Sequence, residues 1–383
     1  MVARTVEQAF AAFGGAGKFA WHGCRVLVKP NLLLAVPPER AVTTHPAVVH
    51  AVVSLLRDAG AHVTIGDSPG LVRGTTAAER AGISAVAHRL GARVVDFDDS
   101  VEVATPPGFM FRKIEIARAV IEADAIINLP KFKTHGQMVL TMATKNYFGC
   151  VVGRRKAQWH MAAGRDPDTF ARLLVELSLL AAPPDRPRFN LVDGVIGMDG
   201  NGPSSGRVRP VGVILAGEDP VAVDRAAARL VGLPEERFPL LRAARAVQAY
   251  AGKPEPLEVV GDPLDQLALR DFVLPPGVHL QWTRFRWLRR ALKRAAAARP
   301  HVDRSKCEAC GVCTRSCPPQ AMTIAGGNVR IDRALCISCF CCQELCPRHA
   351  ISVRRGWLAE LTIPRRRTND RPSRNDAFRD SGR

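Results

Sequence analysis

The 383-residue sequence predicts two unequal parts, a layered α/β domain with a mostly parallel sheet and then a small α+β domain near the C-terminus. Two observations carry this. From residue 3 to about 280, short β-branched runs alternate with longer segments of helical period, the sign of helices layered on a sheet. Further on, one cysteine pattern is written twice, Cys307, Cys310, Cys313, Cys317-Pro318 and Cys336, Cys339, Cys342, Cys346-Pro347, at a constant offset of 29 residues. The same offset carries Ala321-Met322-Thr323-Ile324 onto Ala350-Ile351-Ser352-Val353, so a whole structural unit is duplicated.

In the first part, strands are expected at 25–28, 62–65, 92–95, 125–128, 189–192 and 211–215, and helices over 46–59, 75–90, 167–181, 219–231 and 238–251. The first helix is well marked, with Thr44 or His45 near its cap, Pro46 in its first turn and Gly60 at its stop. An open parallel sheet binds ligands beyond the C-terminal ends of its strands. Those positions are polar here: Lys29-Pro30-Asn31, Gly66-Asp67-Ser68-Pro69-Gly70, Pro130-Lys131-Phe132-Lys133-Thr134-His135 and Asp193-Gly194.

On an extended segment, Lys131, Lys133 and His135 share one side, with Phe132 and Thr134 opposite. Such a face suits an anionic small molecule, because lysines give charge-assisted hydrogen bonds and a histidine gives a proton or a metal bond. A solvated basic loop is the plainer alternative. The glycines of 66–70 and 193–203 either admit a ligand close to the backbone or serve only as turns. Gly14-Gly15-Ala16-Gly17-Lys18 fails as a phosphate loop, since Ala12 stands at its first glycine position, Phe19 replaces the hydroxyl and no strand precedes it. No dinucleotide fingerprint follows any strand either.

In the repeat, three thiolates spaced two residues apart wrap one cubane, and the cysteine before proline ligates the other. This is the pattern of a two-cluster bacterial ferredoxin, so the second part is read as a small α+β ferredoxin-like domain holding two 4Fe-4S clusters. The expected ligand sets are Cys307, Cys310, Cys313 and Cys346 for one centre, and Cys336, Cys339, Cys342 and Cys317 for the other. Zinc sites favour two separated pairs and disulfide frameworks belong to short secreted chains, so neither fits. Cys341 has Val312 as its counterpart and reads as a spare buried thiol, while the isolated Cys24 and Cys150 read as small core residues.

Between the two parts, Trp282, Phe285, Leu288 and Leu292 fall on one helical face and Arg284, Arg289, Arg290, Lys293 and Arg294 on others. This basic amphipathic helix is expected to pack on a domain, with contact to an anionic membrane surface as the lesser reading. The end of the chain lacks the apolar content to fold and is expected to be disordered. The net charge of +18 is concentrated late: residues 281–383 hold 22 Lys plus Arg against 8 Asp plus Glu, a net of +14, which leaves +4 for the first 280. That is no strong nucleic-acid signal; the excess compensates negative clusters or steers an acidic redox partner. The N-terminus carries charges where a signal peptide needs an apolar stretch, and no run of about 18 apolar residues occurs, so a cytoplasmic location is expected.

Taken together, Lys29-Pro30-Asn31, Gly66-Asp67-Ser68-Pro69-Gly70, Asn128-Leu129-Pro130-Lys131-Phe132-Lys133-Thr134-His135, Lys145-Asn146 with Gly149, and Asp193-Gly194 resemble the domain of unknown function 362 family over roughly residues 20 to 260. The resemblance implies an iron–sulfur protein, because a joined ferredoxin module is frequent in that family, and it implies an architecture rather than a reaction. The family domain is also similar, at a distance, to nickel-pincer lactate racemases. No motif here carries their ligands over, and fused clusters imply a redox outcome that racemisation lacks.

The expected divisions are then a large domain over 1–280, a linker helix over 281–300, the ferredoxin-type domain over 301–356 and a tail over 357–383. The leading reading is a redox enzyme or electron-transfer protein whose clusters relay electrons between a partner protein (a ferredoxin, flavodoxin or reductase) and a substrate or cofactor in the α/β cleft. Lys131, Lys133, His135 and Asp67 are the candidate catalytic residues; Lys29, Asn31, Lys145, Asn146 and Asp193 are the candidate substrate-binding ones. Any additional cofactor is left open. The alternative is a non-enzymatic iron–sulfur sensor or binding protein whose basic C-terminal region contacts nucleic acid or an acidic protein.

Overall fold

The computed structural model describes residues 1–153, 155–250, 256–275 and 298–354. The large domain contains β1 (Arg25–Pro30), β2 (His62–Asp67), β3 (Arg93–Asp96), β4 (Ser100–Ala104), β5 (Lys113–Ala117), β6 (Ala125–Leu129), β7 (Lys131–His135), β8 (Val139–Thr141), β9 (Arg188–Asp199) and β10 (Arg207–Gly217). Eight of these form one sheet in the order β3-β2-β1-β6-β9-β7-β8, with β10 paired to β9. The pairs β1–β2, β2–β3, β1–β6, β6–β9 and β7–β9 are parallel, while β7–β8 and β9–β10 are antiparallel. β4 and β5 form a separate hairpin that is not among the expected strands.

The central strands read as continuous apolar runs because both faces are covered. Alternation sends neighbouring side chains to opposite layers. Leu27 and Ile126 join the core that includes Leu173, Leu174 and Leu177 of helix Pro167–Ala181; Val26, Val28, Ile127 and Leu129 join the core with Val48, Val49, Val52 and Leu56 of helix Pro46–Asp58.

Three expectations need correction, and one open alternative closes. The helix over 75–90 is two helices, Gly74–Arg80 and Ile83–Arg89, separated at Gly82, whose φ of +74° a helix interior cannot hold. The helix expected over 238–251 ends at Ala244 and is followed by a 3-10 turn at Gln248–Tyr250. Residues 131–135 take the extended reading and not the alternative of a solvated loop: β7 begins at Lys131, and all five of its residues are buried. Asp193 does not follow its strand, because β9 continues to Asp199.

The small domain contains β11 (Arg299–Val302), β12 (Met322–Ala325), β13 (Asn328–Ile331) and β14 (Ile351–Arg354), paired β11–β14 and β12–β13. The 29-residue offset persists in the backbone. It carries helix Val312–Arg315 onto Cys341–Glu344, and the left-handed residues Ala309, Gly311 and Gln320 onto Ser338, Phe340 and His349. Each sheet therefore joins one strand from each half. Arg299 and Pro300 open β11 rather than ending a helix, and the rest of the expected linker helix, like the tail over 357–383, lies outside the described residues.

Candidate functional site

A cleft of about 640 Å³ opens where β1, β2 and β7 end, and its opposite wall is the small domain. Asn31, Asp67, Lys131, Lys133, His135, Lys145 and Asn146 all line it. Lys29 and Asp193 stand behind that lining as counter-charges. Lys29 Nζ donates to Asp67 Oδ1 at 2.8 Å, and Lys131 Nζ donates to Asp193 Oδ2 at 2.7 Å. Asp67 also accepts from Ser68 N and Leu32 N, and Asp193 from His45 N and Val195 N. Both carboxylates are thus fully engaged by internal donors, an arrangement that holds a buried charge in place rather than freeing it for proton transfer.

Lys133 differs. Its Nζ donates to two neutral oxygens, Asn31 Oδ1 at 2.7 Å and Val42 O at 2.6 Å, and burial pushes its pKa down to about 7. Asn31 continues a chain of amides. Asn31 Nδ2 donates to Asn146 Oδ1, Asn146 Nδ2 to Asn128 Oδ1, and Asn128 Nδ2 to Asn190 Oδ1, each at 2.8–2.9 Å. The network fixes the cleft floor to three strands. Lys145 lies over the Phe148 ring, 5.8 Å from its centroid, and makes no ion pair among the described residues.

His135 is committed on both sides of its ring. Its Nδ1 accepts from Gln137 N at 3.0 Å and Met138 N at 3.1 Å, which leaves the proton on Nε2, against Glu344 Oε1 of the small domain. Burial pushes the ring down to about 4, so it is neutral. A role as metal ligand would require it to leave Glu344.

Sequence reasoning missed four groups that line this cleft: Lys156, whose Nζ donates to Ser68 O, and His160, Arg315 and Glu344. The repeat contained one usable signal. Arg315 and Glu344 are equivalent under the 29-residue offset, and both face the cleft.

The stretch 193–203 serves the domain junction. Gln343, wholly buried, donates through Nε2 to Asn201 O at 2.9 Å and Gly202 O at 3.1 Å; Ser204 Oγ donates to Glu344 O at 2.8 Å.

In the small domain, Cys307, Cys310, Cys313 and Cys346 surround one small cavity, and Cys317, Cys336, Cys339 and Cys342 surround a second. Each cage draws three thiols from one half of the repeat and one from the other. Ala321 N donates to Cys317 Sγ at 3.2 Å and Ala350 N to Cys346 Sγ at 3.3 Å, repeat-equivalent bonds that suit thiolate sulfur. Four thiols around a cavity fit an iron–sulfur cluster. Cys341 belongs to neither cage: it is half-buried and lines the cleft. Cys24 and Cys150 sit in the two cores of the large domain.

The α/β cleft and the cysteine-lined module define an iron–sulfur protein of two domains. Residues 26–229 match the family described as Domain of unknown function (DUF362), and the chain belongs to that family. Residues 299–347 match the 4Fe-4S dicluster domain. A curated relative, the Thylakoid-associated protein sll1697 of Synechocystis sp., is 38% identical over 230 residues, covering 60% of this chain and 70% of that protein. Among solved structures, the lactate racemase apoprotein from Thermoanaerobacterium thermosaccharolyticum aligns at TM-score 0.39 and 14% identity, over 57% of this chain and 52% of that one, about half its length. Among the described residues, no helix is long and apolar enough to cross a membrane.

Proposed function

We propose that this chain is a redox protein holding two 4Fe-4S clusters, which relays electrons between a partner protein and an anionic small molecule in the α/β cleft. The observation that carries the reading is the position of Cys317, which lines the second cysteine cage and the cleft together. When bound, the clusters supply one-electron transfer. Cys307, Cys310, Cys313 and Cys346 would hold one, and Cys317, Cys336, Cys339 and Cys342 the other.

The remaining work belongs to binding and orientation. Lys133 and Lys145 hold the ligand's anionic end, and Asn31 and Asn146 keep Lys133 aimed. Asp67 and Lys131, expected from the sequence to be catalytic, become frame members together with Lys29 and Asp193. His135 keeps its proton on Nε2, at the seam with Glu344. A ferredoxin, flavodoxin or reductase would exchange electrons at the other cage, and thiolate clusters suit the reducing cytoplasm. The alternative, an iron–sulfur sensor or binding protein, relies on the basic C-terminal region for contact with nucleic acid or an acidic protein, and residues 281–297 and 355–383 of that region lie outside the described residues.

Anaerobic iron and sulfide quantification, with EPR of the reduced protein and reoxidation by small-molecule extracts, tests this. About eight irons per chain with extract-dependent reoxidation is the expected result. Intact clusters that no extract reoxidises would remove the cleft from the relay, and a chain purified without iron would sink the whole reading. Lys133→Ala should keep the iron and lose the reoxidation.

A further inference from the structure

The cleft's charges do not balance. Lys29 with Asp67 and Lys131 with Asp193 are closed pairs. Lys133, Lys145 and Lys156 face no carboxylate of their own: the first and third donate to neutral oxygens, and the second lies over an aromatic ring. Among the described residues, Glu344 is the one further carboxylate in the lining, and it rests against the neutral ring of His135. Arg315 stands two residues from Cys317, where a thiolate-bound cluster brings negative charge of its own. With all three lysines protonated, three ammonium groups against one carboxylate leave two positive charges for a ligand. Between them the walls are apolar, with Leu33, Leu71, Met142 and Leu345.

We propose that the cleft selects an organic dianion, a molecule with an apolar body and two negative charges of the dicarboxylate or phosphate-monoester kind, through Lys133, Lys145 and Lys156. This rests on the reading of the cleft as the substrate end of the relay. A neutral ligand leaves two excess positive charges in the site, and a monoanion leaves one. Burial, only partly offset by Glu344 and Asp67, pushes Lys133 down to about 7 and Lys156 down to about 8. A bound dianion raises both, so binding above pH 7 takes up protons and weakens as pH rises through 8.

The test is calorimetric titration of the anaerobic holoprotein with four probes of similar body: benzyl alcohol, benzoate, phthalate and phenyl phosphate. The dianions should bind at least about tenfold more tightly than benzoate, with proton uptake revealed by buffers of different ionisation heat. Lys145→Gln should weaken the dianions more than it weakens benzoate, bringing their affinities together, while iron content stays the same; Lys156→Gln is the second variant. A preference for phthalate marks a dicarboxylate, and a preference for phenyl phosphate marks a phosphate monoester. Equal affinity for benzoate and the dianions, or no binding of any probe, overturns the proposal. Dianion selection without any reoxidation of the clusters upholds it and removes the relay instead.

Discussion

Asp67 has both carboxylate oxygens occupied by internal donors, so its removal is felt by the fold before any chemistry. Asp67→Ala leaves the wholly buried Lys29 without its counter-charge and should cost about 3–5 kcal/mol, read as a fall in the urea midpoint. Gly149 guards the same pair from the other side. A Cβ there would collide with the Asp67 carboxylate and the Lys29 ammonium, so Gly149→Ala should destabilise by about 1–3 kcal/mol without touching any cysteine. The sequence marks these residues as polar positions beyond strand ends, but their pairing joins residues 38 and 62 positions apart, which no local spacing encodes. Histidine behaviour is equally hidden. His160 stacks on Phe170 at 4.3 Å and meets Phe148 edge-on, and burial pushes it down to about 3, as it pushes His135 to about 4. Both rings stay neutral in the fold yet titrate near 6.5 when unfolded. The unfolded chain therefore binds more protons below that pH. Stability is complete above about pH 6.5 and falls as pH drops toward 4, at about 1.4 kcal/mol per pH unit for each histidine. His160→Gln should flatten the pH dependence of the urea midpoint by one proton's slope; an unchanged slope would show that His160 is charged in the fold.

At the scale of elements, β7 explains why a run of basic residues sits inside the protein. Its alternation sends Lys131, Lys133 and His135 to the cleft, while Phe132 packs edge-on against Phe272 at 5.6 Å and Thr134 Oγ1 donates to Gly200 O. The opposite face therefore anchors the functional one. Phe132→Ala should cost about 3–5 kcal/mol in thermal or urea unfolding and loosen the cleft floor, with iron content unchanged. This alternation was legible in the sequence once an extended backbone was assumed; the strand itself was not, because a Pro-Lys-Phe-Lys-Thr-His run has the polarity of a loop. Glycine misled in the same way along β9. Gly194 and Gly197 look like turn residues, yet a Cβ on Gly197 would meet Phe132 O at 2.7 Å and Val211 Cγ2 at 2.6 Å, and one on Gly194 would strike Val213 O. They mark close strand packing rather than a turn.

For the whole molecule, the decisive feature is that the cleft has a wall from each domain, held by contacts that cysteine spacing cannot foretell. The repeat identifies the module; only the fold shows Gln343 and Glu344, just beyond the ligand candidate Cys342, turned toward the large domain. Gln343→Ala strands Asn201 O and Gly202 O in a buried seam, a cost of about 1–3 kcal/mol, and should speed hydrogen exchange in 200–206 and 341–345. Cluster removal tests the same coupling from the other end. Among the described residues, the cluster at the centre of the small domain is Cys313, Met322, Val329, Cys342, Cys346, Ala350 and Ile351, three of them cage thiols. Binding of the clusters should thus supply most of its folding energy. Stripping iron anaerobically with a chelator should make residues 298–354 exchange rapidly while β1, β6 and β9 stay protected. The cleft would then lose the wall formed by Arg315, Cys317 and Glu344, so dianion affinity should fall together with small-domain protection. If affinity survives in the stripped protein, the large domain binds its ligand unaided, and the second wall serves electron transfer alone.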